Sequence, residues 1–491
     1  MFKNIVIVSI DSLRADGINY NRDLIYGKNR HKNIKTPNLD KFAREGTSFI
    51  NTYSTNTYTT SAHASLFTGE YPPIHGVRAF FDLKQKLSSK TKTLAEELGE
   101  KGFKTFFYSD IKVLFSEMDI WRGFQIKTHG NMNVLWDSLR ELKKEKNFVF
   151  IHTFDIHIPY LFSEDKSGFI NNKKYFKSIK ELRKKFKVNS LIDPTKHPHE
   201  SWDELMSKIE NSGINEKKIL GPMYEKGIEF FDKIKFNYIL NNLKLVGINE
   251  TNSLIVILSD HGEGRNNYFK KPDVFYHGGT LTEEVGRVIL MLNIKKFPNN
   301  NKYYSLKNVK NLLLSILMEN KKIKRDKILY FETIGSTNAF PREIKKTMSN
   351  KVSHWLSSRG IIYKGKKYIL FGFPDFFLDM KLKKQLFKEK PNNFIENLYF
   401  YILDRKPTSA EIKYWVNNLN KNFDREQILD SIINSDENKK NFNFLIASKI
   451  DSSYSEITEN KVNLFINTKK FNIYLKKLKK LSVTALYYLN E

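Results

Sequence analysis

The sequence predicts an α/β fold: a doubly wound, mostly parallel sheet within a chain of 491 residues. Three observations carry that prediction. Ile5 to Ile10, Phe148 to Ile151 and Ser253 to Leu258 are apolar runs without polar alternation, the pattern of strands covered on both faces. Segments of helical periodicity separate them, so strand and helix alternate along the chain. Each run delivers a carboxylate or an imidazole at its carboxyl end (Asp11, His152, Asp260 and His261), where open α/β sheets place their ligands.

The length exceeds one small core, and two or three domains are expected. Lys and Arg number 82 against 54 Asp and Glu, a net charge of +28 that suits polyanionic company such as phosphorylated or sulfated substrates, glycans or membrane surfaces. The same Lys-, Asn-, Ile- and Phe-rich balance follows from A+T-rich coding. No nucleic-acid-binding motif accompanies the charge, so no specific nucleic acid is expected. Without cysteine, disulfides and thiolate metal sites are excluded. The first apolar run is too short to cross a bilayer and lacks a small-residue cleavage site. The expectation is a cytoplasmic protein, with peripheral contact to anionic membrane through its basic surface.

In chain order, Thr36-Pro37 supplies a helix cap with proline at the first helical position, and the helix runs to Gly46. Phe49 and Tyr53 belong to a strand leading into the stretch Thr57 to Gly76 (T-Y-T-T-S-A-H-A-S-L-F-T-G-E-Y-P-P-I-H-G). There the pattern predicts a turn, a short helix starting at Thr59 or Thr60, and a stop at Gly69. A hydroxyl at such a helix start lies at the positive end of the helix dipole, a setting that favours an anionic oxygen or a bound phosphate or sulfate. By itself Thr59 would read as a helix cap.

Helices are expected over Thr93–Leu98 and Trp136–Lys144, and a strand over Phe103–Tyr108. Residues 161–222 interrupt the alternation and read as a lid-like insertion, with a basic, aromatic-interleaved run from Lys173 to Lys187. Met223 to Leu245 reads as one amphipathic helix, Val288 to Leu292 as the start of the remaining sheet, and Arg359 to Leu370 as a hairpin turning at Gly365. Helices follow Pro391, and Phe471 to Leu481 is a basic amphipathic segment suited to anionic lipid or to a packing partner.

The stretch around Thr59 resembles the nucleophile segment of sulfatases within the alkaline phosphatase superfamily, and I-D-S-L-R-A-D and T-P-N-L-D-K-F-A-R-E-G resemble that family's opening. The resemblance implies an alkaline phosphatase/sulfatase-like fold and aligns Thr59 with the nucleophile, Ser61 with the proline and His63 with the arginine, which puts His63 among the implied substrate-binding residues. Sulfatases oxidise Cys or Ser at the nucleophile position to formylglycine, and the extra methyl of threonine would yield a ketone. Thr59 looks instead like the threonine nucleophile of the superfamily's phosphodiesterases and phosphotransferases. Ser259-Asp260-His261-Gly262-Glu263 matches the family's late metal ligands, so Asp11, Thr59, Asp260 and His261 are the implied metal set. A carboxylate oxygen and an imidazole nitrogen at one strand end also suit one divalent ion on chemical grounds.

His152-Thr153-Phe154-Asp155-Ile156-His157-Ile158-Pro159-Tyr160 resembles the family's H-x-x-D-x-H-x-P-Y segment. It implies that His157 lies beside the substrate's sulfate or phosphate, supported by Asp155 and His152. Tyr276-His277-Gly278-Gly279 with Glu283-Glu284 and Arg287-Val288 matches a further family segment, making His277 a phosphate ligand or general acid. Lys270 and Lys271 fall in the region of the family's substrate lysine.

One divalent ion is expected: the histidines favour Zn or Mn, the sulfatase resemblance Ca or Mg, and a second metal is left open. The substrate would be a phosphate or sulfate ester, with a glycan or lipid-linked intermediate suggested by the charge and the appended module. The leading reading is a phosphoester hydrolase or phosphotransferase; a sulfuric ester hydrolase and a catalytically inactive binding protein are the alternatives. The implied organisation is a catalytic region over 1–345, a completing hairpin and linker over 346–390, a helical module over 391–445 and a basic helical tail over 446–491. The module resembles a phycobilisome-linker-related domain of unknown function, through Leu398-Tyr399, Arg405-Lys406-Pro407 and Tyr414-Trp415.

Overall fold

The computed structural model describes residues 2–26, 34–78, 85–157, 216–265, 275–277, 281, 283–295, 297, 302–318, 328–334, 356–363, 366–374, 387–403, 405–419, 421–433, 435 and 444–449. The chain divides into two compact units, one of 1–71, 86–277 and 282–326, the other of 72–85, 278–281 and 327–491.

The first unit is built on β1 (Asn4–Ile10), whose every residue is buried, as an unbroken apolar run requires. The remaining strands of its large sheet are β2 (Thr47–Ser48), β4 (Phe103–Ser109), β5 (Ile126–His129), β6 (Lys146–Thr153), β7 (Ser253–Leu258) and β11 (Leu290–Leu292). They lie in the order β2-β11-β7-β1-β6-β4-β5. β1 pairs in parallel with β6 and β7, and β4 in parallel with β5 and β6, whereas β11 is antiparallel to both neighbours. This is the expected mostly parallel sheet. Short strands β3 (Thr52–Tyr53), β10 (Arg287–Val288) and β12 (Tyr304–Ser305) form a second sheet, and β8 (Gly264–Arg265) pairs with β9 (Phe275–Tyr276).

The register explains where chemistry gathers. Ser9 lies between His152 on β6 and Leu258 on β7, so the three strands end level with one another. Asp11, Thr153 and Asp260 therefore leave the sheet at one rim. Apolar side chains of these strands pack against Met132, Leu135, Trp136 and Leu139 of the helix Met132–Glu141 and against Ile228, Phe231, Phe236 and Ile239.

Three expectations need adjustment. Val288 and Leu290–Leu292 belong to different sheets, β10 to the small one and β11 to the large one. The region expected as one helix to Leu245 is α-helical over Glu216–Phe230, π-helical over Phe231–Phe236 and α-helical again over Asn237–Leu245. The π-turn carries two buried charges pointing into polar partners: Asp232 accepts from the backbone of Asn38 and Leu39, and Lys235 meets Asp110 and Asp155. In the second unit, β13 (Ile328–Ile334), β14 (Leu356–Tyr363), β15 (Lys366–Pro374) and β16 (Phe444–Lys449) form one antiparallel sheet. The expected hairpin is present, but Phe444–Lys449 joins it as a strand where a helical module and tail were expected to meet.

Elsewhere in that unit, Arg78 makes a paired contact with Glu332, 2.8 Å from each nitrogen to its oxygen, and Tyr330 donates to the same carboxylate. Helices Pro391–Leu403, Ser409–Asn418 and Arg425–Ile433 form a core from Phe394, Ile395, Leu398, Leu419, Ile428 and Leu429. Thr408 and Glu411 close a capping box at the second helix. The lid-like insertion except its last residues, the run Lys173–Lys187, Gly365 and the segment Phe471–Leu481 lie outside the described residues. Among the described residues no helix is long and apolar enough to cross a membrane.

Gly46 ends the helix Pro37–Glu45 where the chain passes under β11, and a Cβ there would lie 2.0 Å from the Leu292 carbonyl oxygen. Gly46→Ala is therefore expected to destabilise the first unit by about 1–3 kcal/mol, read as a lower denaturant midpoint; an unchanged midpoint would contradict this packing.

Candidate active site

The sequence around Thr59 folds as its residues dictate. The helix spans Thr59–Thr68, and Gly69 closes it at φ 74°, the left-handed conformation that glycine accepts without a Cβ penalty. Thr59 is its first residue, beside backbone N–H groups that no preceding helical turn can satisfy. Every residue of this helix is buried, which is why it shows no amphipathic pattern.

The Thr59 hydroxyl donates to Asp11 Oδ2 at 3.1 Å and lies 3.3 Å from His261 Nε2. His261 Nε2 is in turn 3.4 Å from Asp260 Oδ2 and 3.7 Å from Asp11 Oδ1. The structure thus brings together the four side chains that the resemblance implied as a metal set. Asp11, Asp260 and His261 each offer a ligand atom within 4.8 Å of the others, all of them buried.

The donor balance shows that a cation fits. His261 Nδ1 points at the Gly262 carbonyl, 2.9 Å away, which assigns its proton to Nδ1 and leaves the Nε2 lone pair facing the carboxylates. Asp260 Oδ1 accepts from the backbone N–H groups of Ser12 and His261, while the buried Oδ2 has no hydrogen-bond partner. Lone pairs from an imidazole and two carboxylates therefore converge, with the hydroxyl protons of Thr59 and Ser12 both directed at Asp11. Hard oxygens with one or two imidazoles suit one divalent ion.

Ionisation follows the same logic. Burial, and next the repulsion from Asp11, pushes the Asp260 carboxyl up to about 6. Burial would also raise Asp11, yet the charges of His157, His152 and His261 and a hydrogen bond from His152 hold it well below the usual carboxylate range. Burial opposes a charge on His261, but the two carboxylates outweigh it and raise the imidazole.

The other expected residues divide into two groups. His152 Nε2 is 3.2 Å from Asp11 Oδ2, and its Nδ1 is 3.0 Å from a Ser109 hydroxyl that itself donates to Ile111. His277 stacks on His261 with ring centroids 4.3 Å apart, and its Nδ1 faces Glu263 at 3.3 Å. His157 lies 4.9 Å from the His277 ring and stacks on Phe154 at 3.9 Å. These three histidines border the Thr59 centre.

His63 and Asp155 depart from the substrate-binding role. His63 is fully buried, with Nδ1 on the Thr59 carbonyl at 2.7 Å and Nε2 on the Ser9 hydroxyl at 2.8 Å. Both its nitrogens are engaged, and burial holds the ring well below the usual imidazole range, hence neutral. It supports the helix start from behind. Asp155 forms an ion pair with the buried Lys235 at 2.7 Å, shared with Asp110. Lys270 and Lys271 lie outside the described residues.

Sequence reasoning missed Ser12, Glu263, Tyr224 and Lys235. Glu263 was within reach, because it stands two residues after His261 in the quoted segment. Tyr224 and Lys235 meet the rim only through distant pairing, and nothing local marks them.

The family described as Sulfatase matches residues 3–182, and a domain of unknown function (DUF4214) matches residues 381–442. An ulvan-active sulfatase of Formosa agariphila is 24% identical over 286 residues, 53% of this chain and 50% of that protein. The multifunctional alkaline phosphatase superfamily protein PehA of Trinickia caryophylli is 41% identical over 69 residues, 14% of this chain and 13% of that one. The chain thus matches about half the length of the first of these relatives and a smaller part of the second. A solved 2-O GAG sulfatase shares the fold with a TM-score of 0.50 at 15% identity, covering 75% of this chain and 82% of that one.

Because burial and Asp11 push Asp260 up to about 6, protons compete with a cation there below that pH. Zn or Mn affinity, measured by competition with a chelating dye, is expected to fall as pH drops through about 6. Asp260→Asn should abolish stoichiometric binding; a pH-independent affinity would contradict the site. Residues 3–182 thus match the family described as Sulfatase, and the chain shares its fold with a solved sulfatase.

Proposed function

We propose that this chain is a metal-dependent phosphoester hydrolase or phosphotransferase with Thr59 as its nucleophile. The observation that carries the reading is the Thr59 hydroxyl itself. It lies at a helix start, 3.1 Å from Asp11 and 3.3 Å from His261. A divalent cation bound by Asp11, Asp260 and His261 would supply positive charge against an incoming anion and acidify a neighbouring hydroxyl.

The chain's own residues account for the rest of the chemistry. Thr59 gives up its proton to solvent and its oxygen bonds to phosphorus, while the bond from phosphorus to the leaving oxygen breaks. The first N–H groups of the Thr59–Thr68 helix point toward the equatorial oxygens and stabilise their growing charge. His277 and His157 border the same space, and an imidazolium there can protonate the departing alkoxide. Water attacking the phosphothreonine completes hydrolysis, and a sugar or other alcohol completes transfer.

The sulfatase reading is favoured by the family match and by the relatives' names, and it fixes the same anionic ester class. Threonine argues against it, since oxidation of a secondary alcohol gives a ketone and not the aldehyde that formylglycine chemistry uses. A glycan or lipid-linked ester fits the +28 charge and the appended helical domain. Cytoplasmic placement with peripheral membrane contact remains part of the same proposal.

Aryl phosphate, phosphonate and sulfate esters assayed with Zn or Mn separate the readings. Release of phosphate but not sulfate is expected from the wild type. Thr59→Ala should lower kcat by about a thousandfold or more, the scale of losing a nucleophile or a main stabilising group, while Thr59→Ser retains activity. Sulfate release that depends on Thr59 would overturn the ranking. Turnover of no ester by a metal-loaded protein would favour an inactive binding protein.

A further inference from the structure

Ser12 follows Asp11 at the end of β1, and its backbone is at φ 59°, in the left-handed region that a non-glycine residue seldom occupies. From that conformation it grips both buried carboxylates. Its hydroxyl donates to Asp11 Oδ1 at 2.8 Å, and its N–H donates to Asp260 Oδ1 at 3.2 Å. A strained residue persists only where its surroundings over-determine it.

Here the over-determining group comes from more than two hundred residues away. The buried hydroxyl of Tyr224, on the helix Glu216–Phe230, donates to the Ser12 carbonyl at 2.7 Å and accepts the Arg14 N–H at 3.0 Å. One phenol thus bridges the carbonyl of Ser12 and the N–H of Arg14. Those two backbone groups lie on either side of Leu13, in the turn that follows β1.

Resting on the metal reading above, we infer that Tyr224 is a positioning residue for cation binding: its hydroxyl locks Ser12 in the strained turn that sets Asp11 and Asp260 against each other. The hydroxyl touches neither carboxylate and acts through Ser12. Without it the turn relaxes to an ordinary negative φ, the Ser12 N–H leaves Asp260, and the two carboxylates lose their common orientation. A residue that merely fills the core would not show this dependence, because the phenyl ring keeps its packing when only the oxygen is removed.

The test uses the full chain, Zn as the probe, and affinity measured by chelator competition alongside thermal unfolding of metal-free protein. Tyr224→Phe should weaken Zn affinity by about tenfold to a hundredfold, the usual cost of losing an orienting contact behind a ligand. In the Tyr224→Phe background Ser12→Gly should bind Zn more tightly than Ser12→Ala, since both lack the hydroxyl and only glycine adopts positive φ without strain. Ser12→Ala, which removes only the hydroxyl contact to Asp11, should weaken binding on its own and serves as the measurement should Tyr224→Phe fail to fold. Wild-type affinity in folded Tyr224→Phe, or in Ser12→Ala, would overturn the inference, as would a Ser12→Gly chain that binds no more tightly than Ser12→Ala in the Tyr224→Phe background. A wild-type chain that binds no Zn or Mn would instead defeat the metal reading itself.

Discussion

Two carboxylates buried side by side are the constraint around which the first unit is arranged. Asp11 and Asp260 leave adjacent parallel strands at the same rim, so the register that pairs Ser9 with Leu258 also presses two negative charges together. In a dry interior such a pair is costly unless something positive joins it. The structure answers with imidazoles on several sides, His152 at 3.2 Å from Asp11 and His261 at 3.4 Å from Asp260. One carboxylate oxygen is still left without a hydrogen bond. That residual demand for positive charge makes the neighbouring hydroxyl of Thr59 chemically interesting, since a hydroxyl at a helix start is otherwise only a cap.

Support for this rim comes from elements far away in sequence. The π-helical turn at Phe231–Phe236 sends Lys235 to Asp110 and Asp155, tying the ends of β4 and β6 together just before His157. Burial would raise Asp110, and the ammonium of Lys235 more than offsets it, so the carboxylate stays ionised. Gly262 passes so close to the Glu284 carbonyl that a Cβ would lie 1.9 Å from it, which explains a glycine directly after His261. Each contact removes freedom from a ligand-bearing loop, and pre-set geometry of this kind is what electrostatic catalysis requires.

Much of this was legible in the sequence, and the reason is physical. Unbroken apolar runs such as Ile5–Ile10 and Ser253–Leu258 can only be central strands, and residues at their carboxyl ends must share a rim. The Thr59 helix with its Gly69 stop was readable in the same way, while the grouping of Asp11, Asp260 and His261 around a cation came from the resemblance to sulfatases. His63 was expected at the substrate because a histidine one turn after Thr59 looks available, whereas the all-buried helix turns it toward Ser9. Asp155 was assigned to substrate support because its partner, Lys235, lies eighty residues downstream in a helix whose π-turn no local pattern announces. The strand Phe444–Lys449 was hidden for a similar reason: a short apolar run at the edge of a helical region declares its state only through pairing with β15.

The central claim is that the Thr59 oxygen becomes covalently bound to the group being transferred. Acid quenching during turnover of a phosphate monoester, followed by peptide mass analysis, tests it most directly. A phosphoryl adduct on the peptide that carries Thr59, lost in Thr59→Ala, is the predicted result. Steady turnover with Thr59 unmodified under every quench, and undiminished in Thr59→Ala, would contradict the account.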